Sequence, residues 1–506
     1  MGFANGHSVA LCNPTTDCPD VRAIHQHVGE SGHVFVSVLI RVNSTLEINV
    51  VADRHKLIPA HPAHSAMPAE MPVRLRIFSL NCWGIRYLSK HCAQRYAMIG
   101  ELLSKEQHDV ALLQEVWSEK DFHFLKKKLG VTHPYSHYFK SGFFGSGLAV
   151  FSKHRIHDAF LYKYTLNGYP YMAHHGDWFG GKAVGKVLLN ISGLAIHVFV
   201  THLHAEYCRE PDSYLPHRVV QAWELQNFIR HTSAGADVVI LGGDLNMHPT
   251  DLGIRLLQSY TGLKDCYNET ASFDGCEQGF THITDNPFTH KQELIPFGGG
   301  IRIDYVFFKG SKSVDVSCES LSTTKGPVPG QAFPYSDHEA LSTELELHPS
   351  EDGKGYSNQE KDCTADKLSE LVNIVTEART EVKVGLHCAE RMRYTAARTG
   401  IMGLALLLLE LAIAAVPCFA LGTEQPFPKA SFYLLGALCF AILFCTTLLY
   451  IFYGMEVKAL QGAEDQMRLA LGSLQERLKA FPKGKYEGHS QTEPDSRDPS
   501  TLEPDD

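Results

Sequence analysis

Residues 237–249 read DVVILGGDLNMHP, and the rest of the chain is best understood outward from them. An apolar run of strand length delivers Gly242 and Gly243, then Asp244 and Asn246, which point the same way if the backbone stays extended. The glycines allow another backbone to come close. A carboxylate and an amide side by side can orient water and contact a phosphoryl oxygen. A plain strand-to-helix turn capped by Asp244 accommodates the same residues, and this stretch alone does not separate the two readings.

The same grammar, a polar residue just past or inside a short apolar run, recurs along the chain. Asn81 ends RIFSLN, Glu115 ends VALLQE, His202 ends VFVTH, Asp304 sits inside IRIDYVFF, and Asp337 with His338 stands in PYSDHEAL. A hard divalent cation takes few protein oxygens and keeps several waters, so Glu115 with Asn81 is a plausible metal end. His202 suits a donor to a phosphate oxygen where transition-state charge develops, although His204 shares its strand face and spacing does not choose between them. A carboxylate inside an apolar strand needs a partner, and His338 supplies one for Asp304, giving an oriented base of raised pKa. Asp337 then faces elsewhere, toward the metal or its waters.

From Arg74 to about Leu347 short apolar runs alternate with amphipathic segments. Strands are expected at Leu75–Leu80, Val110–Leu113, Leu148–Phe151, Ala183–Leu189, Leu194–Thr201, Val238–Leu241, Ile301–Phe308, Val314–Ser320 and Ala340–Leu347. Helices are expected at Arg95–Lys105, Glu119–Leu129, Ser213–His231 and Thr250–Ser259. Several strands follow one another directly, so the fold class is an α/β sandwich with mixed sheets rather than a purely parallel one.

This catalytic domain, 73–347, is preceded by an extension, 1–72, with one apolar run at Val34–Ile40, and no secretory signal is expected at its start. Residues 348–399 read as a polar linker and an amphipathic juxtamembrane helix. Residues 400–422 and 431–453 are each long enough to cross a hydrocarbon core of about 30 Å. Arginines before the first span and Lys458 and Arg468 after the second outnumber Lys429 in the loop, so a two-helix transmembrane hairpin with both termini cytosolic is expected. Glu410, inside the first span, is a functional candidate as an intramembrane acid, and the simpler reading, a protonated carboxyl paired with the neighbouring helix, is favoured. An amphipathic helix, 454–482, and a disordered acidic tail, 483–506, complete the chain.

Composition, 44% hydrophobic and 20% charged, is ordinary for a globular protein. The formal charge of −10 argues against a surface that wraps a nucleic-acid backbone, and no nucleic-acid partner is expected. The 13 cysteines include no C-x-x-C pair, so neither a zinc site nor a disulfide framework is suggested.

Taken in order, LNCWG, QEVW, GGDLN, RIDYVF and SDHEAL resemble the endonuclease/exonuclease/phosphatase superfamily, which implies a four-layer, deoxyribonuclease-I-like sandwich over about residues 74–347. LNCWGIRYLSKH, THLHAEY, TLNGYPYMAHHGDWFGGKAVG and the two C-terminal spans resemble the neutral sphingomyelinases that carry a membrane hairpin. That resemblance implies Mg²⁺-dependent hydrolysis of membrane sphingomyelin to ceramide and phosphocholine, with Mn²⁺ as a substitute metal. Action on lyso-platelet-activating factor and other choline lysolipids is implied as well, and endoplasmic reticulum or nuclear envelope membranes as the location. By motif position it implies Glu115 as metal ligand with Asn81 beside it, Asn246 in substrate recognition and His202 at the phosphate. His338 is implied as proton acceptor with Asp304 orienting it, and Asp177 and Lys182 as a pair on a loop near the site. The rival readings are a nuclease of the same fold, an inositol-polyphosphate 5-phosphatase, whose Pro-Ala-Trp-Cys-Asp-Arg motif has no counterpart here, and an inactive membrane scaffold.

Overall fold

Strands such as Val110–Gln114, Leu148–Ser152, Leu194–His202 and Val238–Asp244 are buried on both faces, and this explains why they are continuous apolar runs, whereas Leu341–Pro349 alternates. The computed structural model describes residues 21–28, 34–42, 46–53, 72–85, 88–328, 330–350, 365–420 and 429–481. The acidic tail, the hairpin loop, residues 351–364 of the linker and much of the N-terminal extension lie outside the described residues. In the unit ending at Pro68, Val21–Val28, Val34–Val42 and Leu46–Asp53 form an antiparallel sheet with the apolar run at its centre.

The second unit begins at Ala69. Its main strands are β1 (Val73–Asn81), β2 (Val110–Gln114), β3 (Tyr135–Phe139), β4 (Leu148–Ser152), β5 (Ile156–Lys163), β6 (Ala183–Ile191), β7 (Leu194–His202), β8 (Val238–Asp244), β9 (Asp304–Gly310), β10 (Val314–Thr323) and β11 (Leu341–Pro349). Its main helices are α1 (Cys92–Glu106), α2 (Glu119–Leu129), α3 (Leu215–Thr232), α4 (Leu252–Thr261), α5 (Ala365–Ala420) and α6 (Lys429–Ala480). A seven-stranded sheet runs Phe273–Asp274, β10, β11, β1, β2, β4, β3, and a six-stranded sheet runs Lys264–Asp265, β9, β8, β7, β6, β5. The pairs β1/β2 and β7/β8 are parallel and lie among antiparallel neighbours.

Phe78, Leu80 and Leu113 pack outward against Tyr96, Ile99 and Leu125 of α1 and α2. Phe199 and Leu241 of the other sheet pack outward against Val219, Trp223 and Leu257 of α3 and α4. Between the sheets the approach is close, and Gly242 permits it: a Cβ there would stand 2.5 Å from Leu112 Cδ1. The result is the four-layer sandwich.

Two strands differ from expectation for one reason. β3 and β5 are the outer strands of their sheets, half-exposed along their length, so YSHYF and IHDAFLYK carry no apolar run to read. At Ile301–Phe308 the expected strand splits. Arg302 turns its guanidinium into a buried pair with Asp265 (2.5 Å), Gly300–Ile301 pairs with His282–Ile283, and β9 starts at Asp304.

Each C-terminal helix is continuous through its amphipathic and apolar parts, and both are long and apolar enough to cross a membrane. Their polar-faced portions dock on α3 and α4. Leu368, Val375, Val382, Leu460 and Met467 join the core of the six-stranded sheet. Trp223 Nε1 donates to Gln466 Oε1 at 3.0 Å, and His217 Nε2 lies 3.2 Å from Glu456 Oε1. Glu464, which interrupts the apolar seam of α6, pairs with Arg379 at 2.6 Å.

Candidate active site

Strand register assembles the site. His202 at the end of β7 is the direct partner of Asp244 at the end of β8, and Asp244 is the direct partner of Asp304 at the start of β9. Asn81 at the end of β1 is paired with Gln114 at the end of β2, so Glu115 follows on the same edge. All of these ends lie where the two sheets meet: Asn81 Nδ2 reaches 3.0 Å to Glu115 Oε1 and 2.9 Å to Asp244 Oδ2 across the sandwich. The polar stops of the sequence are strand ends, and the two-sheet packing gathers them.

Three non-glycine residues at this edge, Trp83, Glu115 and Asn246, have positive φ of 45°, 55° and 49°. Such conformations cost of order 1–3 kcal/mol each and persist where the surroundings fix them. Asn246 therefore corrects one expectation: the backbone past Asp244 is not extended. Asp244 Oδ1 accepts the Asn246 backbone N–H at 2.9 Å, which folds the chain into a tight turn. The Asn246 side chain then donates to Leu203 O at 3.0 Å. Gly243 makes the turn possible, with φ of 148° and no room for a Cβ, which would stand 2.0 Å from Thr201 O.

At one end of the site His338 Nδ1 lies 2.8 Å from Asp304 Oδ2, and its Nε2 points toward Asp244 Oδ2 at 4.0 Å. Burial alone would lower the imidazole pKa, but the Asp304, Asp337 and Asp244 carboxylates outweigh it and hold it well above the usual value. Asp304 Oδ1 is buried with no hydrogen-bond partner, so His338 is the ionic partner that the strand carboxylate required.

At the other end Asn81 Oδ1 accepts the Trp83 backbone N–H at 3.0 Å, which turns its amide nitrogen toward the carboxylates. Trp117 Nε1 donates to Glu115 Oε2 at 3.3 Å. Burial pushes the Asp337 carboxyl up to about 6, His338 opposes this, and Glu115 adds to it. Asp244 is likewise raised, by burial and then by Asp304. Such a crowd of buried carboxylates could hold a metal ion. The ligating atoms of Asp244, Asp304 and His338 lie within 4.8 Å of one another, as do those of His282, Asp337 and His338.

Between the two ends, Lys182 is 2% exposed and directs its ammonium to three acceptors: Asp177 Oδ1 at 2.8 Å, Leu203 O at 2.6 Å and His202 Nε2 at 3.0 Å. The Asp177–Lys182 pair is thus a buried strut rather than a surface ion pair. Burial would raise the Asp177 carboxyl, but Lys182, His204 and Tyr207 hold it far below the usual range. His202 is pushed well below its usual pKa, first by burial and then by the Lys182 ammonium, so it is a neutral imidazole accepting from Lys182. The ambiguity between the two histidines resolves spatially. His202 faces Asp244 at 3.4 Å, whereas His204 stacks on Tyr214 and its Nδ1 meets Ala205 O at 2.8 Å, one layer behind the pair.

Other contributors were not legible in the sequence. His282 stacks on His338 with ring centroids 5.0 Å apart, and burial followed by His338 lowers its pKa to about 3. Arg95 is fully buried and donates to the carbonyls of Cys82, Trp83, Lys90 and Tyr335, which locks the loop after Asn81. An arginine within an amphipathic helix gives no sign of such a role; only the adjacency of LNCWG hints at it.

Comparison with known proteins places this geometry. The profile of the Endonuclease/Exonuclease/phosphatase family matches residues 78–338. Sphingomyelin phosphodiesterase 2 of Mus musculus is 50% identical over 355 residues, 69% of this chain and 83% of that protein. Sphingomyelin phosphodiesterase 2 of Homo sapiens is 45% identical over 410 residues, 81% of this chain and 94% of that protein. The crystal structure of sphingomyelinase C from Streptomyces griseocarneus aligns with a TM-score of 0.44 at 17% identity, covering 55% of this chain and 99% of that one. The chain belongs to the endonuclease/exonuclease/phosphatase superfamily and, within it, to the neutral sphingomyelinase family of phosphodiester hydrolases.

Proposed function

We propose that the chain hydrolyses sphingomyelin in a membrane to ceramide and phosphocholine. The observation that carries this reading is the His338–Asp304 dyad, 2.8 Å apart and facing the buried Asp244, in a chain whose relatives are named sphingomyelin phosphodiesterases. Asp304 orients the imidazole through Nδ1, leaving Nε2 to take a proton from water. The water oxygen bonds to phosphorus as the bond from phosphorus to the ceramide oxygen breaks; that oxygen takes a proton from solvent, and the His338 imidazolium returns its own proton to solvent. Asp244 and Asn246, fixed by their turn, and His202, fixed by Lys182, line the position of the phosphoryl group. Asp177 holds Lys182 in place.

Glu115 and Asp337, with Asn81 beside them, would hold Mg²⁺, or Mn²⁺ in its place. Bound there, the cation supplies charge neutralisation for the phosphoryl oxygens and relieves the carboxylate crowding that raises His338. Choline lysolipids, lyso-platelet-activating factor among them, share the phosphocholine group and are proposed as secondary substrates.

The membrane reading has its own support. Trp178, next to Asp177, packs edge-on against Phe452 of α6 with centroids 5.5 Å apart, and Tyr171 lies 5.9 Å from Tyr453. These contacts put the site loop beside the Phe452–Tyr453 end of the second span, which in this reading is the cytosolic end, where aromatic residues favour the membrane interface. Both termini are cytosolic in this reading, and endoplasmic reticulum and nuclear envelope are the proposed membranes.

The test is phosphocholine release by purified full-length protein in nanodiscs containing labelled sphingomyelin, beside lysolipid and phosphatidylcholine, with Mg²⁺ or chelator. Sphingomyelin as the preferred substrate with loss under chelator supports the reading, and turnover confined to a soluble phosphodiester contradicts it.

A further inference from the structure

Glu410 lies in the apolar part of α5, is only 6% exposed, and neither carboxyl oxygen has a hydrogen-bond partner. The expectation that the neighbouring helix would pair with it is not met. The residue facing it on α6 is Gly436, where even an added Cβ would stand 3.2 Å from Oε1. An unsatisfied polar group in hydrocarbon is costly, so a carboxyl kept here calls for a partner that the described residues do not supply.

The surroundings indicate what that partner is. A groove of about 320 Å³ opens beside Glu410, walled by Leu406, Leu409, Ile413, Phe432, Leu435 and Cys439, with Ser431 at its rim. Leu406, Leu409 and Leu435 are more than half exposed, so the groove opens outward from the hairpin, into the hydrocarbon if the hairpin spans a bilayer. From Ser431 to Gly436 the helix rises about 7.5 Å. The carboxyl thus lies a short way in from the loop end of the second span.

We propose that this groove is a lipid-binding site, separate from the catalytic one, that takes a sphingoid lipid of the leaflet opposite the catalytic unit. Protonated, the carboxyl offers one O–H and keeps a carbonyl oxygen that needs a donor, and ionised it needs donors only, so in either state a donor is required. A sphingoid lipid carries an amide N–H and hydroxyls just below its head group, whereas the acyl esters of a glycerophospholipid only accept. Six apolar walls suit an alkyl chain and one carboxyl suits that donor set. The proposal rests on the reading that the hairpin spans the bilayer, and it assigns the hairpin a lipid preference beyond anchoring.

The experiment uses full-length protein in phosphatidylcholine nanodiscs doped at equal mole fraction with photoactivatable ceramide or photoactivatable phosphatidylcholine, followed by peptide mapping of adducts. Ceramide adducts on the groove peptides should exceed phosphatidylcholine adducts roughly five-fold, the preference expected of one net hydrogen bond. Glu410→Leu should remove the preference, and Glu410→Gln, which keeps an acceptor, should retain most of it while phosphocholine release stays unchanged in both. Equal labelling by the two probes, or a preference that survives Glu410→Leu, overturns the proposal while leaving the membrane reading intact. Crosslinks between two copies at Glu410 in place of lipid adducts overturn it in favour of self-association. Absence of adducts with either probe, together with extraction of the protein by alkali, overturns the membrane reading as well.

Discussion

Asn81 Nδ2 lies 2.9 Å from Asp244 Oδ2, joining the end of a strand in the seven-stranded sheet to the end of a strand in the six-stranded sheet. The same nitrogen reaches Glu115 Oε1 at 3.0 Å. One amide therefore sets the spacing between the two halves of the site, and its donors hold apart two carboxylates that would otherwise repel.

Replacing that amide by a carboxylate is the sharpest perturbation of this contact. Asn81→Asp should cost about 1–3 kcal/mol through lost donors and added repulsion, together with a large loss of turnover. A thermal melt and a rate measurement on the same sample check it. An unchanged melting temperature with full activity contradicts the bridging role.

The Asp177–Lys182 pair is buried, so breaking one half strands the other. Lys182→Met should destabilise by about 3–5 kcal/mol, and adding Asp177→Asn should restore part of that loss rather than deepen it. Denaturant midpoints of the two single variants and the double variant decide. Simple additivity would show the pair to be uncoupled.

How much of this was readable beforehand depends on exposure. Central strands such as Leu194–His202 bury both faces, so their apolar letters mark them clearly, and the polar residue that ends each run marks the site edge. The edge strands Tyr135–Phe139 and Ile156–Lys163 bury too little to leave that mark. Asp244 and His338 were legible through the order of the short motifs that carry them, because a strand-end carboxylate by itself reads equally well as a cap. His282, Arg95 and the donor face of Asn81 depend on contacts between segments far apart in sequence, and no local pattern encodes them. The membrane hairpin was legible by length alone, whereas its docking on α3 and α4 through Trp223–Gln466 and His217–Glu456 was not.

A buried histidine away from the site gives a pH signature. His108 is fully buried, and its pKa is lowered to about 3, first by burial and then by the Arg76 charge. The unfolded chain protonates this residue near 6.5, so between about 6.5 and 3 the unfolded state binds the extra proton and folding stability falls as pH drops. In His108→Gln, stability should depend less steeply on pH across that window. Identical slopes for wild type and variant in urea melts from pH 7 to pH 4 contradict the assignment.

The polar-faced portions of α5 and α6 belong to the core of the six-stranded sheet rather than forming a tether. Leu460 is 0% exposed and packs in the same cluster as Trp223 and Leu257. Leu460→Asp should cost several kcal/mol by burying an unpaired charge and should render the catalytic unit, not only the helix, sensitive to limited proteolysis. Cleavage confined to residues after 453, with the catalytic unit as stable as wild type, sinks this view.

The central claim is that His338, oriented by Asp304, activates water against the phosphodiester of a bilayer lipid. Its most direct test is phosphocholine release from sphingomyelin nanodiscs by full-length wild type, Asp304→Asn and His338→Ala, each verified as folded by its melt. His338→Ala should lose at least about 10²-fold in kcat, the scale of general-base catalysis, and Asp304→Asn should fall between it and wild type. Folded His338→Ala with wild-type turnover contradicts it.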